Sequence, residues 1–221
     1  MKILEKQGYH LIFLVFLLLG ISAVAQGDVL EGDLWGIGTS TWLWLTIVDP
    51  VLHQIYVVIC WRGELYYNWL SKTFGKRAFS LWSIGFMFFF IGRLVTILGL
   101  AAANRGSLQL PLWLAVALSL LAFIPVVYLL YSVVKFFGMK RALGIDHFEP
   151  EIYRNKPLVK QGIFKWTSNA MYKFGFIIFW IPGLLFSSKA ALLAALFNHL
   201  YIWVHFYFTE EPDMRFIYQS N

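Results

Sequence analysis

The last stretch of the chain reads HFYFTEEPDMRFIYQSN, an aromatic and apolar run that breaks at Thr209 into Glu210 and Glu211, then Pro212, Asp213 and Arg215. Two carboxylates withdrawn from water side by side repel, and one takes up a proton unless a cation lies between them. A charge-assisted hydrogen bond to an ammonium group would satisfy the pair. Arg215 or Lys173 can meet the same need from within the chain, and adjacent glutamates can also simply cap the water-facing end of a hydrophobic helix. A second polar corner, TSNAMYKFG, carries Asn169 and Tyr172, and a third, GIDHFEP, carries His147. The ordinary pKa of histidine suits proton shuttling, although a lone histidine is more often structural than catalytic. The rings of Tyr172 and Trp166 suit a cation held against an aromatic face.

The elements that must position these groups follow from composition. The chain has 221 residues and is 59% hydrophobic, 19% aromatic and only 14% charged, whereas soluble domains have about 25% charged and 45–50% apolar residues. An all-α, polytopic membrane bundle is expected, as a single domain over 1–221. The net charge of +6 sits in loops between hydrophobic runs, which fits anionic lipid headgroups and excludes a nucleic-acid partner. Cys60 has no second cysteine to pair with, so no disulfide or cysteine-based zinc site is expected, and no other metal site is indicated.

Spans are expected near 9–26, 42–60, 79–103, 111–136, 169–187 and 190–208, about six in all, or five if the first is removed. The opening MKILEKQGYHLIFLVFLLLGISAVAQG also has the outline of a secretory signal peptide. Residues 1–41 therefore form a first span or signal plus a non-cytoplasmic loop, and 42–218 the core. Lys2 and Lys6 precede span one; Asp28, Glu31 and Asp33 follow it; Arg62, Lys72, Lys76 and Arg77 follow span two; only Arg105 separates spans three and four. Basic residues mark cytoplasmic loops, so both termini and the long loop 137–168 are expected on the cytoplasmic side. The membrane is that of the endoplasmic reticulum or the bacterial inner membrane.

Spans five and six, joined by a tight turn near Ser187 and Ser188, form a hairpin. That brings Asn169–Tyr172 to the depth of Glu210 and Glu211 and sets a pocket at the cytoplasmic end. Along span six Asn198, Tyr201, His205 and Thr209 share a face, as do Tyr128, Tyr131 and Lys135 along span four. Polar stripes should face inward, either joining helices or lining a pocket, and the latter is favoured for His205. Arg93, deep in span three, either serves function or pairs with Asp49 or a backbone carbonyl.

TSNAMYKFG followed one hairpin later by FTEEPDMRFIY resembles the C-terminal signature of the phosphatidylethanolamine N-methyltransferase family. Its members read Asn-Pro-Met-Tyr, or Arg-His-Pro-x-Tyr in the related isoprenylcysteine carboxyl methyltransferases, then Glu-Glu-Pro and an Ile-Tyr pair. VDPVLHQIYVVICWRGELYYNWLSKTFGKRAFS and VKFFGM are similar to earlier parts of the family, extending the resemblance over roughly residues 42–218. It implies an S-adenosylmethionine-dependent methyltransferase embedded in the membrane. The cofactor site it implies comprises Glu210, Glu211, Asn169, Met171, Tyr172 and Gly175, to which the stripe adds His205. Two departures stand out: Ala170 replaces the family's proline, and PLWLAVALSLLAF carries no counterpart of the family's Gly-x-Gly.

The expected activity is methylation of the amine headgroup of a phospholipid drawn sideways from the bilayer. An ammonium acceptor must lose a proton before it attacks, and Glu211 and His147 are the candidate bases, with Asn169 beside them. Another apolar acceptor, such as a prenylcysteine carboxylate, is the alternative within enzymes; Asn169 in place of Arg-His favours the amine. A sterol-type membrane reductase would need a dinucleotide pocket that no glycine-rich or basic motif supports, and a catalytically silent scaffold is the remaining alternative.

Overall fold

A backbone without water must bond to itself, and in this chain it does so almost wholly as helix. The computed structural model describes residues 2–219. In chain order come α1 (Gln7–Val24), a two-residue hairpin of β1 (Asp33–Leu34) and β2 (Ile37–Gly38), α2 (Thr39–Tyr67), the short α3 (Trp69–Phe74), α4 (Ala78–Ala103) and α5 (Leu112–Ser132). The loop that follows carries α6 (Met139–Ala142) and α7 (Pro150–Tyr153). Then come α8 (Ala170–Phe174), α9 (Trp180–Leu185), α10 (Lys189–His205) and α11 (Glu211–Gln219).

Among the described residues, five helical stretches are long and apolar enough to cross a membrane: Lys2–Val24, Thr39–Tyr67, Trp69–Ala103, Leu112–Phe137 and Lys189–Tyr218. The chain is an all-α, polytopic membrane protein. The expected fifth span is shorter than the sequence suggested, an apolar stretch over Ala170–Leu185. Its middle, Gly175–Phe179, winds as a 3₁₀-helix. Pro182 explains this, because it has no N–H for the carbonyl four residues back, that of Ile178. The steeper 3₁₀ rise of about 2.0 Å per residue lengthens the segment. The hairpin to α10 turns tightly: Ser188 N–H donates to the Gly183 carbonyl at 2.8 Å, and a Cβ on Gly183 would meet the Leu192 backbone nitrogen at 2.9 Å.

The most extensive helix pairing in the bundle is that of α2 with α4, which run antiparallel through a sevenfold repeat. Trp42, Asp49 and Tyr56 on α2 fill the space left by Gly99, Gly92 and Gly85 on α4. A Cβ at these glycines would lie 2.5 Å from the Trp42 ring, 2.5 Å from Asp49 Oδ2 and 2.3 Å from the Tyr56 hydroxyl. Small residues let membrane helices approach closely where hydrophobic force no longer drives them together. Helix α10 runs through the middle of the bundle against α1, α2, α4 and α9, with Ala190, Ala191, Ala194 and Ala195 fully buried.

One end of the bundle is tied by Asn104. Its Oδ1 accepts from Ser107 and Ser188 hydroxyls and the Ala190 N–H, while Nδ2 donates to the Asp28 and Glu31 carbonyls. Lys189 and Asp28 form an ion pair beside it. The other end gathers the start of α1, the end of α2, the 137–169 loop and α11.

Inside the bundle the polar stripe of α10 faces inward. Tyr201 hydroxyl pairs with His10 Nε2 at 2.9 Å, and Asn198 Nδ2 donates to the Ala194 carbonyl. Arg93 donates to the Pro50 carbonyl at 3.3 Å and faces the Phe176 ring. Arg62, read from the sequence as a loop charge after span two, is instead an interior residue of α2 and fully buried. The helix runs on to Tyr67 because Asn68 turns left-handed, and Glu64 Oε2 then accepts from Leu70 and Ser71 N–H.

Candidate active site

The position of the acid pair begins with Pro212. Proline has no N–H and its ring crowds the carbonyl four residues earlier, here Phe208. The helix leaving α10 widens at that point into a π turn over Phe206–Glu210. A buried carbonyl stripped of its helical donor needs another. Gln7 Nε2 and Arg62 Nη2 supply it to Phe208 at 3.1 and 3.2 Å, and Arg62 Nη2 also reaches the Thr209 carbonyl at 3.2 Å. A second π turn, Val133–Phe137, ends α5 at the same end of the bundle. Such turns are frequent at functional sites.

Between these two turns lies a cavity of about 700 Å³. Glu210, Glu211, Asn169, Met171, Tyr172 and His147 all line it, together with Trp61, Phe137, Arg141, Asp146, Arg154, Lys156, Phe206, Arg215 and Tyr218. The hairpin thus sets the Asn169–Tyr172 corner and the acid pair on one half-open cavity. Asn169 N–H donates to Thr167 Oγ1 at 3.2 Å, a local turn that holds the corner where Ala170 stands in place of proline. Gly175 and His205 do not line the cavity. Gly175 packs on Leu129, where a Cβ would approach to 3.1 Å. His205 is buried behind Trp61, with ring centroids 5.9 Å apart, and faces His10 rather than the cavity.

The two glutamates are not equivalent. Glu211 Oε1 accepts from Arg215 Nη2 at 2.7 Å on the outer side of α11. Glu210 Oε2 is buried and has no hydrogen-bond partner on the protein. Arg215, one of the internal cations weighed from the sequence, therefore serves Glu211 and leaves Glu210 open.

His147 is fixed on three sides. Its ring stacks on Trp61 at 4.1 Å, Nδ1 lies 3.2 Å from Asp146 Oδ1, and Nε2 lies 3.8 Å from Asp213 Oδ2. Burial alone would lower its pKa, but the two carboxylates outweigh burial and raise it to about 9. Burial pushes Asp146 the other way, yet the His147 ring, the Tyr218 hydroxyl and Arg141 hold its carboxyl below the usual range. The line of contacts continues outward: Tyr218 hydroxyl donates to Asp146 Oδ2 at 2.9 Å, and Arg141 Nη2 donates to Tyr218 at 3.1 Å. A ring held as imidazolium has no lone pair to take a substrate proton.

Sequence reasoning missed Trp61, Arg62, Asp146, Asp213, Arg141 and Tyr218. Arg62 carried a readable signal, an arginine inside an apolar helix, concealed by ending span two at residue 60. The glycine-free stretch 111–123 has less bearing on the site than the sequence suggested. It occupies the half of α5 next to the Asn104 end, and Phe123 lies about 21 Å up the helix from Phe137 at 1.5 Å per residue.

No curated protein and no solved structure matches the chain. The phospholipid methyltransferase family matches over residues 110–221, which hold every lining residue of the cavity except Trp61. With that match over half its length, the chain belongs to the phospholipid methyltransferase family.

Proposed function

We propose that the cavity binds S-adenosylmethionine and that the protein methylates the amine headgroup of a phospholipid. The observation that carries this reading is Glu210 Oε2, a buried carboxylate oxygen with no partner in a chamber of about 700 Å³. A buried acid without a cation is costly, and the cofactor brings an ammonium to satisfy it. The chamber falls within the roughly 300–1,000 Å³ of small-molecule sites. Its aromatic walls, Trp61, Tyr172 and Phe206, suit a sulfonium. The residues therefore fit the group.

S-adenosylmethionine, when bound, supplies an electrophilic methyl on sulfur. Glu210 holds its ammonium, the Asn169 amide offers a hydrogen bond, and Met171 and Tyr172 pack beside it. Glu211 takes the proton that the acceptor amine must lose, exchanging its bond to Arg215 for one to the substrate. His147, kept charged between Asp146 and Asp213, fixes the wall and balances the local negative charge. Holding donor and acceptor in line supplies much of the acceleration.

The cavity end faces the cytoplasm in this reading. Lys72, Lys76, Arg77, Lys140, Arg141, Arg154, Lys156, Lys160 and Lys165 belong to it, whereas Asp28, Glu31 and Asp33 mark the other end. Purified protein in detergent should bind S-adenosylhomocysteine, and a labelled-methyl assay on lipid extracts should yield N-methylated phospholipid. A labelled product running with prenylcysteine esters would overturn the amine acceptor; binding of NADPH in place of S-adenosylhomocysteine would overturn the methyl donor.

A further inference from the structure

Besides His147, four arginine and lysine side chains line the cavity, and two of them are engaged. Arg215 bonds Glu211, and Arg141 donates to Tyr218 while its guanidinium lies against the rings of Phe137, Tyr153 and Tyr218. The other two stand on the loop. Arg154 touches Glu151 through Nη1 at 3.2 Å, but its Nε is buried without a partner. Lys156 has its ammonium 4.1 Å from the Tyr153 ring centroid, and among the described residues no acid pairs with it.

The chain beyond Tyr153 leaves the helix and runs without helix or turn over residues 156–160. Arg154 lies in the turn that ends α7, and Lys156 and Leu158, two positions apart in the segment beyond it, line the cavity with it. The three present two cations and then a large apolar side chain that is 61% exposed. Ile152 and Trp166 of the same loop are also exposed, and the Trp166 ring lies 5.8 Å from Tyr128 on α5. The loop edge thus has the amphipathic character of a membrane interface, where aromatic rings and lysines sit at headgroup level.

We propose that Arg154, Lys156 and Leu158 form the entry lip for the acceptor lipid, with the two cations binding its phosphate and Leu158 meeting its glycerol and acyl region. The order of charge fits a zwitterionic headgroup entering amine first: Glu211 receives the amine within the chamber, beside the donor held by Glu210, and the lip receives the phosphate behind it. Arginine pairs with phosphate through a fork of donors, and lysine acts as a point charge beside it. The assignment rests on the proposed phospholipid methylation, and it adds the residues that recognise the acceptor as a phosphodiester.

The test uses the full chain in detergent and two probes, dihexanoylphosphatidylethanolamine and S-adenosylhomocysteine, each titrated by calorimetry. Arg154→Gln with Lys156→Gln should weaken the phospholipid tenfold or more and change the nucleoside less than twofold, raising KM for lipid with kcat kept. Arg154→Lys with Lys156→Arg should restore most of the loss, and intact nucleoside binding shows that the variants are folded. Equal loss of S-adenosylhomocysteine affinity would assign the cations to the donor's carboxylate and overturn the lip; so would unchanged phospholipid affinity. A wild-type protein that binds the phospholipid but never the nucleoside would overturn the donor assignment and leave the lip standing.

Discussion

Arg62 Nε lies 3.0 Å from Asp213 Oδ1, and both side chains are shut away from solvent. The same guanidinium donates to the carbonyls of Ile3, Glu5, Phe208 and Thr209. One side chain from α2 therefore ties the chain's start to the π turn that presents the acids. Removing one partner of a buried ion pair costs roughly 3–5 kcal/mol. Arg62→Ala should lower the melting temperature in detergent steeply, and Arg62→Lys should not restore it, because an ammonium cannot fork to four carbonyls and a carboxylate. Wild-type stability in Arg62→Lys would contradict this account.

The imidazolium of His147 links stability to pH. Its pKa is raised in the folded protein to about 9, from 6.5 when unfolded. A raised pKa stabilises the fold fully below the unfolded value, and the contribution fades as pH climbs through the folded value. Unfolding free energy should thus decline between about pH 6.5 and pH 9, by on the order of 3 kcal/mol at most. His147→Gln should flatten that slope when chemical denaturation is followed across the range. A slope of the same size in the variant would place its origin elsewhere.

Glu210→Gln and Glu211→Gln should separate. A charge-assisted hydrogen bond is worth roughly 1.5–3 kcal/mol, so Glu210→Gln is expected to weaken S-adenosylhomocysteine binding about ten- to a hundredfold. Glu211→Gln should leave that affinity nearly intact and slow turnover, shifting its dependence on pH. Calorimetry and single-turnover kinetics on both variants check this; the reverse pattern would exchange the two roles.

The glycine repeat of α4 predicts a sharp positional contrast. Gly92→Leu forces a side chain into Asp49, and overpacking of this kind costs roughly 1–3 kcal/mol. Gly8 and Gly20 on α1 have nothing within 4 Å of an added Cβ. Alanine at either should be neutral or stabilising by roughly 0.5–1 kcal/mol. Thermal unfolding of the three variants side by side reads the difference.

Hydrophobic runs, loop charge and the Asn169–Tyr172 and Glu210–Pro212 motifs made much of this arrangement readable from residues alone. The membrane class, the hairpin and the stretch of chain that bears the cavity each rest on a local pattern with a local cause. What stayed hidden depends on distant partners. Glu211 is the exception, since its partner Arg215 stands four residues on, one turn along α11, while Glu210 faces inward. His147 stands alone in the letters, because Asp213, which lies beside it, is 66 positions later. The repeat Gly85, Gly92, Gly99 was present in the letters, but its meaning needed the matching repeat on α2.

Trp61 carries a consequence for dissection of the chain. The ring on which His147 lies comes from α2, upstream of the segment that matches the family. A fragment beginning at residue 110 would retain both glutamates and the Asn169 corner, yet it would have no floor beneath the imidazole and no guanidinium at the π turn. Such a half could be aligned with its relatives residue for residue and still be unable to assemble a chamber.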